Sequence, residues 1–251
     1  RPSVVRPADI GYERILQELR RLQHAVDKTG ISLGGAVRFN YRFDDTDAGS
    51  RDRGGDFLFD IFRLDLNGEI HKVRLSVQYR WYSYMNVIHH GWIGYRFTED
   101  IQLEAGITKV PFGLLPYASH SWWFGVPYYI GLSDQYDLGI KLAWSPGPWD
   151  LRVAFFKNGE WGDPSRLKRY SFDVVTVGDQ QNEQTNRGNL WLAYTLHRGG
   201  LGKTRAGVSG FFGGLYNRTT RKTGVHWGAG AHLKGEYGPF GLMLEGAHYG
   251  S

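Results

Sequence analysis

The sequence predicts an all-β chain arranged as an antiparallel transmembrane β-barrel, and three observations carry that reading. First, Glu69 to Tyr82 alternates with period two: Val73, Leu75, Val77, Tyr79 and Trp81 on one side, Lys72, Arg74, Ser76, Gln78 and Arg80 on the other. A greasy, aromatic-ended face opposite a basic one suits a wall with lipid outside and a wet, charged lumen inside. Second, this pattern recurs along most of the chain, with turn residues between the repeats. Third, the composition favours strands: 35 Gly, 15 Tyr, 14 Phe and 9 Trp in 251 residues.

No run approaches the ~18 apolar residues that a membrane helix needs. The aromatic stretch Trp122 to Leu132 is short and broken by Gly125, Pro127 and Gly131. A mean hydropathy of -0.42 does not count against a barrel, because alternation averages the membrane signal away. The lack of Cys excludes a disulfide scaffold and thiolate metal sites. Lys and Arg number 30 against 25 Asp and Glu, a formal charge of +5. These basic residues are spread along strands and not gathered in one tract, which argues against a nucleic-acid partner.

The chain divides at residue 30 into an N-terminal segment, 1–29, and a barrel, 30–251. Within the first, Asp9 to Lys28 is the one helical stretch: Tyr12, Ile15, Leu19, Leu22 and Val26 fall at 3-4-3-4 spacing. Such a seam either packs on its own domain or forms a short oligomerising coiled coil, two heptads being too few to stand alone. Gly30 suits the helix end.

Strands follow from Ile31. Ile31 to Phe43 alternates, and a polar loop runs from Asp44 to Gly55. Phe57 to Leu66 is next, with a phase break that predicts a bulge near Ile61. Asn67-Gly68 signals a two-residue hairpin. Ile88 to Phe97 and Ile101 to Lys109 pair around Glu99-Asp100, and Val110 to Gln135 is a long connection. Tyr136 to Trp144 and Trp149 to Lys157 pair around Pro146-Gly147-Pro148, and a polar loop spans Asn158 to Asn186. Arg187 to Leu196, Thr204 to Tyr216, Val225 to Tyr237 and Phe240 to Tyr249 complete roughly eleven strands.

The polar faces predict a lumen lined by Arg38, Arg42, Arg63, Lys72, Arg74, Arg80, Arg96, Lys141, Arg152 and Lys234. The acids expected there are fewer: Asp65, Glu104, Asp150, Glu236 and Glu245. Guanidinium forks suit carboxylate and phosphate oxygens, so a small-anion path is expected. An ordinary solvated face of paired charges is the plainer alternative.

IFRLDLNGEI, residues 61–70, with the strand after it, resembles the second and third strands of the phosphate-selective porin O and P family. LEAGITKVPFGLL, residues 103–115, resembles the same family's Gly-x-x-Lys-x-Pro-Phe-Gly element, read here from Gly106 to Gly113. The likeness covers most of Asp9 to Trp144, including a helix in the place where many members carry a short coiled coil. It implies an outer-membrane barrel of about sixteen strands, a trimer, and a native chain continuing beyond Ser251. It also implies that the loop after Lys109 folds inward as a constriction built from Lys109, His120, Trp122, Trp123, Phe124, Tyr128 and Tyr129. Little positive charge follows Lys109, so phosphate selectivity is not carried over. The aromatics would stack on solutes or plug the lumen by packing together.

Other clusters predict no chemistry. Ser119-His120-Ser121 lacks a placed acid. His226 and His232 share a strand face about 20 Å apart, too far for one metal ion. His89 and His90 are expected on opposite faces. No glycine cradle joins a strand to a helix. The expectation is therefore a passive outer-membrane channel, neither an enzyme nor a cofactor or metal protein. Its partners would be membrane lipid, small anions, and either its own copies or other envelope proteins. A plugged structural barrel and a soluble β-sandwich binding an acidic ligand are the competing readings.

Overall fold

A computed structural model describes residues 14–18, 21, 30–116, 126–160, 182–197 and 199–251. Residues 14–18 and 21 are helical, in the expected stretch, whose remaining residues lie outside the described set.

Eleven antiparallel strands form one sheet in chain order: β1 (Ile31–Arg42), β2 (Asp56–Ile70), β3 (Val73–Tyr82), β4 (Asn86–Arg96), β5 (Ile101–Lys109), β6 (Tyr136–Trp144), β7 (Trp149–Gly159), β8 (Asn182–His197), β9 (Lys203–Asn217), β10 (Lys222–Tyr237) and β11 (Phe240–Gly250). This is the all-β meander of a transmembrane barrel, with β1 and β11 each paired on one side. Connections after β2, β4, β6, β8 and β10 are all short, whereas those after β1, β5 and β7 are long.

The burial pattern is inverted relative to a soluble domain. Side chains of the exposed set include Leu33, Val37, Leu75, Ile93, Ile140, Val153, Leu190 and Val208, while Ser76, Gln78, Arg80, Lys141, Gln184, Arg187, Asn189 and His226 are buried. An apolar outer band of this extent marks a surface that meets something other than water. Leu75, Val77 and Tyr79 thus share the outer face, and Ser76, Gln78 and Arg80 the inner one.

Three features depart from expectation. The β2–β3 turn is not at Asn67-Gly68. Those residues pair within the ladder, against Ser76 and Leu75, and the chain reverses at His71-Lys72. The outward series Leu64, Leu66, Gly68 and Ile70 keeps its phase through the Asn-Gly pair, so ladder pairing outweighs the local turn preference. His71 takes φ 56° there, in a region that costs a residue with a Cβ on the order of 1 kcal/mol. His71→Gly is therefore expected to raise stability by about 0.5–1 kcal/mol in urea unfolding from lipid vesicles; a loss would show that the imidazole makes a compensating contact.

The loop after β1 is not wholly irregular: α1 (Ala48–Arg53) starts at Asp47, whose side chain accepts from the Gly49 N–H, and ends at left-handed Gly54. In the same loop, hydrogen bonds from the Thr46 hydroxyl and then the Thr46 amide hold the exposed Asp44 carboxyl below its ordinary pKa. Finally, β8 begins at Asn182, inside the stretch read as loop. The bulge expected near Ile61 falls at Asp60, the residue skipped where Arg38 pairs with Ile61 and Phe39 with Phe59. It turns the Asp60 carboxylate toward Arg38 and Asn40.

Candidate functional site

The inner face of the sheet holds the polar chemistry. A cavity of about 340 Å³ is lined by side chains from β2 to β7, among them Arg63, Arg80, Lys109, Lys141 and Arg152, with Glu104 and Asp134 as its acids. Five basic groups thus face two acidic ones around one space. Each is oriented by a neighbour. Arg63 donates to Asp65 (2.9 Å), Gln78 donates to the other Asp65 oxygen (2.5 Å), and Arg80 donates to Gln78 (2.6 Å) and the Tyr82 hydroxyl (3.2 Å). This is a cross-strand relay between β2 and β3. Lys141 is paired with Glu104 at 2.8 Å and also donates to the Lys109 carbonyl at 3.1 Å. Lys109 lies over the Tyr136 ring at 5.6 Å.

On the far side, Asp150 accepts two bonds from Arg152 and one from Arg205. Both guanidiniums also lie over Trp191, at 5.2 and 4.7 Å, and His232 stacks on the same indole at 5.2 Å. Trp191 is fully buried. Deeper, Arg187 donates to Gln135 (2.7 Å) and Gln184 (2.6 Å), and its guanidinium sits 3.8 Å from the Phe211 centroid.

The connection after β5 enters this space. Val110 packs on Ala154 and Phe156, Phe112 on Phe211 and Leu132, and Leu115 on Trp191 and Ala193. Its backbone is pinned to the opposite strands. Gly113 N–H donates to Ser209 (3.0 Å), the Gly113 carbonyl accepts from Trp191 (2.8 Å), and Leu114 N–H donates to Glu245 (3.2 Å). Gly113 has φ 63°, and a Cβ there would fall on the Glu245 carboxylate, so glycine is required on two counts. Returning residues form α2 (Val126–Tyr129), where Tyr128 is buried against Val87, Ile107 and Tyr136 while Tyr129 is exposed. His120, Trp122, Trp123 and Phe124 lie outside the described residues.

Comparison with known proteins supplies the family. The family model described as "Phosphate-selective porin O and P" matches residues 31–209, from β1 into β9. The chain belongs to the phosphate-selective porin O and P family. It is accordingly a protein of the Gram-negative outer membrane, and its fold is of the channel type. Among solved structures, Pseudomonas aeruginosa OccK2 (OpdF) in complex with glucuronate is similar at TM-score 0.40 and 13% identity, over 88% of this chain and 64% of that one. A second OccK2 structure gives 0.39 and 13%, over 87% and 64%. A loop-deletion mutant of the Vibrio cholerae outer membrane protein OmpT gives 0.27 and 13%, over 88% and 94%. The chain thus spans about 64% of the length of the OccK2 structures. No curated protein matches it.

Within this porin, the sequence-derived lining residues divide. Arg63, Arg80, Lys141 and Arg152 meet at the cavity together with Lys109. Arg74 and Arg96 converge instead on Glu69, at 3.5 and 2.9 Å, and Arg74 also donates to Gln102. Arg38 pairs with Asp60 on β2. Arg42 lies at the rim, exposed and paired with Asp44 at 3.5 Å. Lys72 is a correction: it sits in the exposed β2–β3 turn and donates to the Phe97 carbonyl, because β3 begins one residue after it, at Val73. Lys234 pairs with Glu236 at 2.9 Å, beside Arg205 in a smaller cavity of about 270 Å³. Arg187 and Arg205 escaped the sequence reading. Each shares the phase of its strand's inward residues, Arg187-Asn189-Trp191 and Arg205-Gly207-Ser209, and that phase was the available signal.

Histidines also differ from expectation. His89 and His90 both line the central cavity, because His89 is the extra residue of a bulge where Gln78 pairs with His90 and Tyr79 with Ile88. Bulges re-aim side chains in this way.

Proposed function

We propose that the protein is a passive outer-membrane channel for small solutes, with a preference for anions. The observation that supports this reading is the ring of Arg63, Arg80, Lys109, Lys141 and Arg152 around the central cavity, against Glu104 and Asp134. A fixed positive surplus in a narrow wet passage concentrates anions and repels cations. The connection from Val110 to Gln135 is the proposed constriction, with Lys109, His120, Trp122, Trp123, Phe124, Tyr128 and Tyr129 narrowing the passage. Residues 30–251 are the barrel unit and 1–29 a segment outside it. Its proposed surroundings are membrane lipid and copies of itself, in a trimer.

Reversal potentials in planar bilayers under a KCl gradient test the proposal: chloride preference is expected, and potassium preference or silence would overturn it. Arg80→Glu changes the lining by two charge units. It is expected to lower the chloride-to-potassium permeability ratio by roughly thirtyfold: two charges roughly 8 Å away in water are worth about 1 kcal/mol, and that acts with opposite sign on the two ions.

A second reading is a plugged barrel with no transport role. It is favoured by the packing of Val110, Phe112 and Leu115 against the far strands, which sets hydrocarbon where water would run. Sustained absence of conductance in reconstituted protein would support it.

A further inference from the structure

Asp150 is held from two strands. It stands two residues before Arg152 on β7, so their side chains share the inner face. Arg152 and Arg205 both donate through Nη2 to the same carboxylate oxygen, Oδ2, Arg152 at 3.1 Å. The other oxygen, Oδ1, accepts from Arg152 Nε and from the Ser145 hydroxyl, each at 3.2 Å. Guanidiniums from β7 and β9 therefore converge on one oxygen, and both lie over the Trp191 indole. Convergent guanidinium forks on an aromatic platform are what recognises an oxyanion. Here the anion is a side chain of the protein itself.

The place is reachable from two sides. Arg152 lines the central cavity and Arg205 the smaller one of about 270 Å³, with Asp150 bonded to both. Arg205 has donor capacity to spare. Its Nη1 reaches the Leu115 carbonyl only at 3.4 Å, and its Nε is buried and meets no acceptor among the described residues. Positive charge is in surplus nearby, because Lys203 and Lys234 share Glu236, at 2.8 and 2.9 Å, as the two arginines share Asp150. These residues flank the short turns after β6, β8 and β10, away from the long connections after β1, β5 and β7.

We infer that Arg152, Arg205 and Trp191 form a further oxyanion-binding site, toward the short-turn end of the passage, and that Asp150 is its tethered occupant. The ligand class is a carboxylate, sulfate or phosphate group, which presents the same oxygen as Asp150. The use of the site rests on the channel reading above: a passage needs sites that ions leave as readily as they enter. A carboxylate fixed on the same strand as Arg152 loses no translational freedom on binding, so it competes with every passing anion. Solutes are thus handed on and not trapped. Asp150→Asn keeps the shape of the occupant and removes its charge. One unit charge about 4 Å from a dianion is worth roughly thirtyfold in affinity in water.

The test is inorganic sulfate, titrated calorimetrically onto the full chain in detergent and added to chloride currents in planar bilayers. Asp150→Asn is expected to bind sulfate, and to be blocked by it, at a roughly thirtyfold lower concentration than the wild type. Adding Arg205→Gln to that variant is expected to abolish the gain. Ser145→Ala, in an exposed turn, leaves Asp150 charged but removes one bond that holds it. It is expected to tighten sulfate binding by about threefold, the effect of one hydrogen bond, and it decides alone if Asp150→Asn does not fold. Unchanged sulfate affinity in these variants, or a gain that survives Arg205→Gln, overturns the inference, and an anion-preferring current then leaves the channel reading standing. Tighter sulfate binding in a protein that passes no current keeps the site and overturns the channel reading.

Discussion

Trp191→Ala is expected to cost about 3–5 kcal/mol in urea unfolding from lipid vesicles, the range for removing a fully buried indole. Trp191 is at 0% exposure and supports four partners at once. The guanidiniums of Arg152 and Arg205 and the ring of His232 lie against it, and its N–H holds the Gly113 carbonyl. Truncation opens a void beneath two arginines and releases the Gly113 carbonyl of the inward connection. Single-channel conductance is expected to rise in the same variant, because the connection loses one of its anchors to the far wall. Trp191→Phe keeps part of the stacking surface while losing the hydrogen bond and some buried volume, so a cost of about 2–3 kcal/mol, below that of the alanine variant, is expected. A truncation cost below 1 kcal/mol would show that the indole does not bear this load.

The second large effect concerns the outer face. Val77→Arg and Ile140→Arg place a guanidinium at mid-strand, on β3 and on the nine-residue β6, where the surroundings are hydrocarbon. Each is expected to destabilise the folded protein by about 2–4 kcal/mol in lipid, the midplane cost on a barrel's lipid face. Leu75→Arg lies nearer the β2–β3 turn and should cost less, since the penalty falls toward the interface. Equal folding free energies for all three variants and the wild type would reverse the assignment of the two faces.

Much of the fold was legible because alternation is a local property of each strand. Ile101–Lys109 and Tyr136–Trp144 match the expected limits, bracketed by the Thr98–Asp100 and Pro146–Pro148 turns. Phase breaks were harder. The one before Ile61 showed because apolar residues crowd there, whereas the bulge at His89 carries no such mark, and its two histidines look like one inward and one outward residue. Asn67-Gly68 misled because a strong turn dipeptide can be paired inside a longer ladder. The site itself was legible as a list of basic residues and not as an arrangement. Asp150 serves Arg152 two residues away and Arg205 on β9, and a partnership of that second kind leaves no trace in spacing.

The anchors of the inward connection also bear on assembly. Gly113 reaches Ser209 across 96 positions, Leu114 reaches Glu245 across 131, and Trp191 reaches back to Gly113 across 78. Each contact waits on a later strand: Trp191 on β8, Ser209 on β9 and Glu245 on β11. Closing such wide loops before neighbouring hairpins exist would be entropically unfavourable. Docking of Gly113 therefore follows the joining of β8, β9 and β11 to the sheet, and it braces that part of the wall from within.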